Sequence, residues 1–180
     1  MRRLTTILVL ALGLLLFTAQ ASLAASPHFK KNGEPVCTVT SSQASASTTC
    51  SASLAGLGQE TLVINVTASG SAVYQCQNQG GNTAPGQNRV LVGPVTAPTT
   101  IPADQIKNGN VSFTTNPAVL TAPGTVTGAE AGCPNPNWTG VNPTLTLTDL
   151  SMTIAQGGVL LFTCTASNPN GLTGTVPLAC

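Results

Sequence analysis

Apolar residues in this sequence recur at every second position, in short runs closed by Gly, Ser, Asn or Pro, and nowhere sustain helical spacing. Successive side chains on a strand point to opposite faces, so such alternation specifies half-buried β-structure. Cys37 and Val39 share one parity against Thr38 and Thr40, and Cys50, Ala52 and Leu54 line one face of the next run. Leu62, Ile64 and Val66 alternate with Val63, Asn65 and Thr67; Gly70 interrupts, and Ala72, Tyr74 and Cys76 form another inward set. Residues 89–95 read as a strand that Gly93-Pro94 confines to an edge or a bulge. Residues 109–115 give a further strand. Leu145 and Leu147 hold one parity and Leu150, Met152 and Ile154 the other, which predicts a bulge at Asp149. Residues 159–166 close the pattern. About nine or ten short strands with frequent turns predict an all-β fold, an antiparallel β-sandwich.

Two finer features bear on topology. Tyr74-Gln-Cys76 copies the tyrosine-x-cysteine of an immunoglobulin F strand, but Trp138 follows Cys76 instead of lying between two cysteines. The expectation is therefore immunoglobulin-like only in the loose sense. Residues 61–82 also lie over 149–170 at a constant offset of 88, matching Leu62 to Leu150, Gly70 to Gly158 and Cys76 to Cys164. If that echo is duplication, residues 61–77 and 149–165 form superposable hairpins, and the chain holds two related halves, 36–97 and 109–180.

The N-terminus sets the compartment. Met1-Arg2-Arg3, an apolar run over residues 4–17 and small residues up to Ala25 form the three parts of a secretory signal over residues 1–25. The apolar core is short for a membrane span, and no second such run follows. Cleavage after Ala24 or Ala25 predicts a mature chain of about 155 residues, with no membrane span. Residues 26–35 read as an extended polar arm, and residues 36–180 as the disulfide-bonded sandwich region. Without Arg2 and Arg3, four basic side chains of the original six face five acids, a net charge of −1. So weak a field argues against nucleic acid and acidic lipid as partners.

Cys37, Cys50, Cys76, Cys133, Cys164 and Cys180 are an even set in an exported chain, which reads as three disulfides. A hairpin centred near Gln43-Ala44 places Cys37 opposite Cys50, so that pair is expected, with Cys76–Cys133 and Cys164–Cys180 favoured for the rest. The competing scheme joins Cys50 to Cys76, Cys133 to Cys164 and Cys37 to Cys180. Paired Cys-x-x-Cys spacing and Cys–His combinations are lacking, so no metal site and no cofactor is expected.

Candidate chemistry is sparse. His28 is the only histidine and lies in the polar arm, which leaves a hydrolase triad without its oriented base. An amino-terminal copper site needs an amide that Pro27 lacks. The five acids are isolated in sequence, with few aromatics to stack a sugar beside them, so glycosidase chemistry is disfavoured. Calcium-loop and phosphate-loop motifs do not occur. Asn65, Asn110 and Asn137 each begin an N-glycosylation pattern, meaningful only in a host that uses it. The reading is a non-enzymatic chain.

Five segments carry a resemblance: His28-Phe29, Leu54-Ala-Gly-Leu-Gly58, Asn78-Gln-Gly-Gly-Asn82 after Cys76, Ala84-Pro-Gly-Gln-Asn88 and Cys133-Pro-Asn-Pro-Asn-Trp138. In these the chain resembles a group of small exported bacterial proteins of the actinobacterial type, which has no assigned activity. The resemblance implies export and a β fold, and it carries over no catalytic residue.

Function is then expected on loops, because strand faces are either core or Thr/Ser-rich. Loops 78–88 and 132–140 concentrate the amides of Gln79, Asn82, Gln87, Asn88, Asn135 and Asn137 around Trp138, on backbone stiffened by Pro85, Pro134 and Pro136. A Cys76–Cys133 bridge would bring the two loops together. The expectation is a secreted or cell-surface binding or structural protein, its partner an extracellular protein or a glycan. The alternative is a carbohydrate- or small-ligand-binding module using these loops, with Trp138, Asn135, Asn137, Asn82, Gln87 and Asn88 as contacts. An exposed Trp138 favours the ligand site; a buried one favours plain structure.

Overall fold

The computed structural model describes residues 26–180, and the secretory segment read over residues 1–25 lies outside them. The described chain begins with β1 (His28–Phe29), β2 (Val36–Ser41), β3 (Ser45–Ala55) and the 16-residue β4 (Leu62–Gln77). Then come β5 (Thr83–Pro85), β6 (Val90–Ile101), β7 (Val111–Thr114), β8 (Ala118–Thr121) and β9 (Thr125–Thr127). One helical turn, α1 (Gly128–Ala131), precedes β10 (Thr139–Gln156), β11 (Val159–Ser167) and β12 (Gly174–Pro177).

These strands make two antiparallel sheets, as the alternation predicted. In the first, β3 is central: β2 and β1 lie end to end along one side, β8 and β7 along the other, and β12 lies outside β2. In the second, β4 and β10 are the central pair. β6 and β5 flank β4, while β11 and β9 flank β10. The core lies between the sheets. Leu62, Ile64, Val66 and Ala68 of β4 are fully buried, as are Met152 and Ile154 of β10, and Ala46, Cys50, Ala52 and Leu54 of β3 are buried too.

The expected change of phase in β10 is real. Leu147 pairs with Gly70 and Asp149 with Ser69, so Thr148 is the extra residue of a β-bulge, and the inward parity switches across it. The same point disturbs the other side of β4, where Ala68 faces Val95 and Gly70 faces Val92. Gly93 and Pro94 therefore stand opposite the single residue Ser69, on an edge strand, as the sequence suggested. Gly70 is the reason β4 and β10 can stay this close within their sheet. A Cβ on it would lie 2.2 Å from the Thr146 carbonyl oxygen and 3.0 Å from Leu147 Cα. Only a residue without a side chain lets β10 pass this close.

Gly70 is thus no turn, and this corrects the reading of an internal repeat. Residues 61–77 lie almost wholly in the single strand β4, whereas 149–165 fold as a hairpin turning at Gly157-Gly158, both with positive φ (55° and 83°). The two stretches do not superpose as hairpins. The candidate halves are also interleaved, since β12 pairs with β2 in one sheet. The extended arm read over residues 26–35 is tied down through β1. β1 pairs with β3, Lys30 N–H donates to the Ser53 carbonyl (2.9 Å), and the Phe29 ring packs on Phe162 of the second sheet with centroids 4.6 Å apart.

All three favoured disulfides are present. Cys37 and Cys50 face each other directly in the β2–β3 register, with Cα atoms 3.9 Å apart. Cys76 joins Cys133 across 57 residues, at a Cα separation of 5.5 Å. Cys164–Cys180 fastens the chain end beyond β12 onto β11, aided by two backbone hydrogen bonds between Thr165 and Ala179 (2.8 and 2.9 Å). The last bridge therefore ties the edges of the two sheets together. Cys76 does not bridge the sheets, unlike the cysteine in the immunoglobulin tyrosine-x-cysteine.

One polar atom sits badly in this core. Thr48 is completely buried, and its hydroxyl finds no hydrogen-bond partner among the described residues. A desolvated hydroxyl without a partner costs free energy that an isosteric methyl does not. Thr48→Val is expected to raise the unfolding free energy by about 1 kcal/mol in denaturant titration; a loss of stability would show that the hydroxyl is satisfied.

Candidate functional site

Where β4 and β10 run beyond the bulge, their ends carry the loops singled out in the sequence. The Cys76–Cys133 bridge joins the end of β4 to the second residue after α1, and so holds loops 78–88 and 132–138 side by side. The helical turn between them is short but closed at both ends. Thr127 and Glu130 form a capping box: Glu130 N–H donates to Thr127 Oγ1 (3.2 Å), and Thr127 N–H donates to Glu130 Oε2 (2.9 Å). Gly132 ends it in the left-handed conformation (φ 67°), and Cys133 N–H returns to the Gly128 carbonyl (2.8 Å).

The neighbouring backbone is seated on this turn. Gln87 and Asn88 N–H both donate to the Ala131 carbonyl (3.0 and 3.1 Å), and Gly86 N–H donates to Tyr74 O (2.9 Å). Tyr74, buried in the core, donates its hydroxyl to the Pro123 carbonyl (2.9 Å). Burial pushes its phenol pKa up, with the Glu130 carboxylate adding to the shift. In the proline-rich turn, Asn137 N–H donates to Asn135 Oδ1 (2.9 Å) and Trp138 N–H to the Asn135 carbonyl (3.0 Å). Gly128 lets this turn pack tightly, since a Cβ there would meet the Trp138 carbonyl at 2.4 Å.

Trp138 emerges half-buried, one side packed on the core and the rest at the surface. Both sequence readings of it are therefore met in part. Its ring separates two shallow clefts. One, of about 340 Å³, is lined by Asn78, Gln79, Gly80, Asn135, Asn137 and Trp138. The other, of about 590 Å³, runs from Trp138 and Pro136 to Thr125, Thr127 and Glu130. The first has no ionisable side chain. In the second the one carboxylate, Glu130, is occupied by the Thr127 hydroxyl (2.7 Å) and amide. The first cleft offers amide hydrogen bonds beside one face of the indole, and the second offers threonine hydroxyls and the Glu130 carboxylate beside the same ring.

Of the expected contacts, Asn135, Asn137 and Trp138 come together in the first cleft. Asn82, Gln87 and Asn88 do not join them. Asn82 closes a turn by donating its N–H to Asn78 Oδ1 (2.9 Å), and the Asn88 side chain donates to the Ala129 carbonyl (3.3 Å). Gln87 is exposed outside both clefts. Asn78 and Gly80 take their place beside Gln79. The signal for these two was adjacency to Cys76, which keeps the near end of the loop under the bridge. His28 lies elsewhere, its ring hydrogen-bonded to the Ser26 carbonyl (2.8 Å). Among the described residues, no three His, Cys, Asp or Glu side chains are grouped to hold a metal.

No protein-family model matches the chain, and no curated protein matches its sequence.

The capping box makes a prediction about pH. The Thr127 hydroxyl, and then its amide, hold the Glu130 carboxyl below its ordinary pKa. A carboxyl whose pKa is lowered on folding adds stability above the ordinary value, and loses it as pH falls through the folded one. NMR titration is expected to find Glu130 ionising below the usual glutamate range, and Thr127→Val to move it up towards that range. Equal values in both proteins would refute the capping box.

Proposed function

We propose that the protein is exported by its first 25 residues and acts outside the cell as a non-enzymatic binding protein, taking a neutral, hydroxyl-rich glycan at the Trp138 cleft. Three disulfides are typical of extracellular proteins, and among the described residues no helix is long and apolar enough to cross a membrane. The likeness to exported actinobacterial proteins supports the same compartment. The architecture, a sandwich presenting loops at one end, is used in the loosely immunoglobulin-like manner.

One observation carries the ligand class: a single large ring, half exposed, set between clusters of uncharged amides on rigid backbone. A sugar ring presents an apolar face for stacking and hydroxyls that amides bind in either direction, since each amide both donates and accepts. A charged ligand would find no counter-charge in the 340 Å³ cleft. The proline turn, the capped helix and the disulfide already fix the contacts, which lowers the ordering cost of binding.

The test is a glycan array with wild type, Trp138→Ala and Asn137→Ala. Asn137 is exposed and makes no core contact, so its removal is expected to leave the melting temperature unchanged. Retention of a neutral glycan is expected to fall about tenfold or more for Trp138→Ala, the effect of losing one stacking contact of about 1.4 kcal/mol. Asn137→Ala is expected to weaken it less. Retention unchanged in both variants, or confined to acidic glycans, would overturn the assignment.

A further inference from the structure

The edges of the two sheets are not equally protected. An open edge displays unpaired N–H and C=O groups, and soluble proteins blunt such edges with proline, charge, brevity or a covering segment. β1, β5, β7, β8, β9 and β12 have four residues or fewer. β6 is long, but it carries Pro94 and Pro98, and Asn116 caps it through Thr99 Oγ1 and the Pro98 carbonyl (both 2.7 Å). β11 has neither proline, charge nor brevity, and a segment covers it only at Cys164 and Thr165. It runs nine residues, Val-Leu-Leu-Phe-Thr-Cys-Thr-Ala-Ser, without proline or charge. No charged side chain occurs anywhere after Asp149.

Its far side is paired only at Thr165, which exchanges both backbone bonds with Ala179. By alternation Thr163 also turns its N–H and C=O outward, away from β10. Towards the hairpin tip, Val159 is 65% exposed and Leu160 60% exposed. Residues 159–163 thus keep an open backbone edge, and at its tip two apolar side chains, Val159 and Leu160, are uncovered.

We propose that this edge pairs with the same edge of a second copy, as an antiparallel two-fold dimer that joins the two second sheets into one. An open edge is satisfied by another open edge, and among the described residues β11 is the one long unguarded edge that this chain offers. Pairing is therefore isologous and closes at two copies rather than growing into a fibre. The absence of charge on the strand removes the like-charge repulsion that ordinarily blocks edge-to-edge contact. The contact is small, below the about 1,200 Å² of a standard stable interface, so the dimer is weak and concentration-dependent. The interface does not involve the Trp138 cleft, and its test is independent of the proposed ligand.

Sedimentation equilibrium of the purified, disulfide-bonded protein, from about 5 μM to about 500 μM, reads this directly. The average mass is expected to rise from the monomer towards twice that value, and amide exchange at Thr163 to slow as the mass rises. Leu160→Lys places a charge on the edge at a site already exposed. It is expected to stay monomeric throughout with an unchanged melting temperature. Leu91→Lys, at an 86% exposed residue on proline-guarded β6, is expected to dimerise like wild type. A monomeric mass for wild type across the range, or a Leu160→Lys protein that dimerises as wild type does, would overturn the proposal.

Discussion

The central strand pair of the second sheet depends on one close approach, at Gly70, where β10 runs beside β4 with no room for a side chain. The Thr146 carbonyl and Leu147 Cα occupy the space that a Cβ would need. Both strands flanking β4 accommodate the close approach by adding a residue, Thr148 in β10 and one of the Gly93-Pro94 pair in β6. Bulges bend and twist a strand more strongly than regular pairing does. They also let one strand serve the core with different parities on its two sides: Leu145 and Leu147 before the bulge, Leu150, Met152 and Ile154 after it. Asp149, thrown to the surface by the bulge, is held by the Ser167 and Thr148 hydroxyls (2.6 Å each), which keep its carboxyl below the ordinary range.

The candidate site inherits its rigidity from that pairing. β4 and β10 remain paired past the bulge as far as Gln77 and Thr139, so their ends project a stiff platform. The Cys76–Cys133 bridge, the capping box and the Asn135 turn then each remove one local freedom from the loops above it. What is left at the surface is half of an indole ring among amides, in a place with little backbone disorder to lose on binding. The same long strands leave β11 as an outer edge. Its length follows from that of its partner β10, and this is why it is long where the other edges are short.

Much of this was legible in the residues. Period-two alternation fixed the strands because each face has a distinct environment, and the parity switch between Leu147 and Leu150 located the bulge to within a residue. Cys37–Cys50 followed from hairpin register alone. Gly70 was misread because a glycine looks the same in sequence whether it makes a turn or admits a neighbouring strand; only the partner, 76 or more residues away at Thr146, distinguishes them. The docking of the extended arm was hidden for a related reason, since Phe29 is pinned by Phe162 from the opposite sheet. At the site, Asn135, Asn137 and Trp138 were legible because they share one turn. Asn82 and Asn88 were not separable by composition from the asparagines that line the cleft, since an asparagine spent on a turn or a helix carbonyl looks like one left open.

The central claim is that the close approach at Gly70 lets β4 and β10 stay paired through the bulge and out to the platform, and one substitution tests it directly. In an ordinary strand, replacing Gly by Ala stabilises, because Ala loses less backbone freedom on folding. Here the added methyl has no room, so Gly70→Ala is expected to lose at least about 1 kcal/mol in equilibrium denaturation. Gly124→Ala, with nothing within 4 Å of its Cβ position, is expected to match wild type in the same experiment. A Gly70→Ala protein as stable as wild type, or more so, would contradict the account.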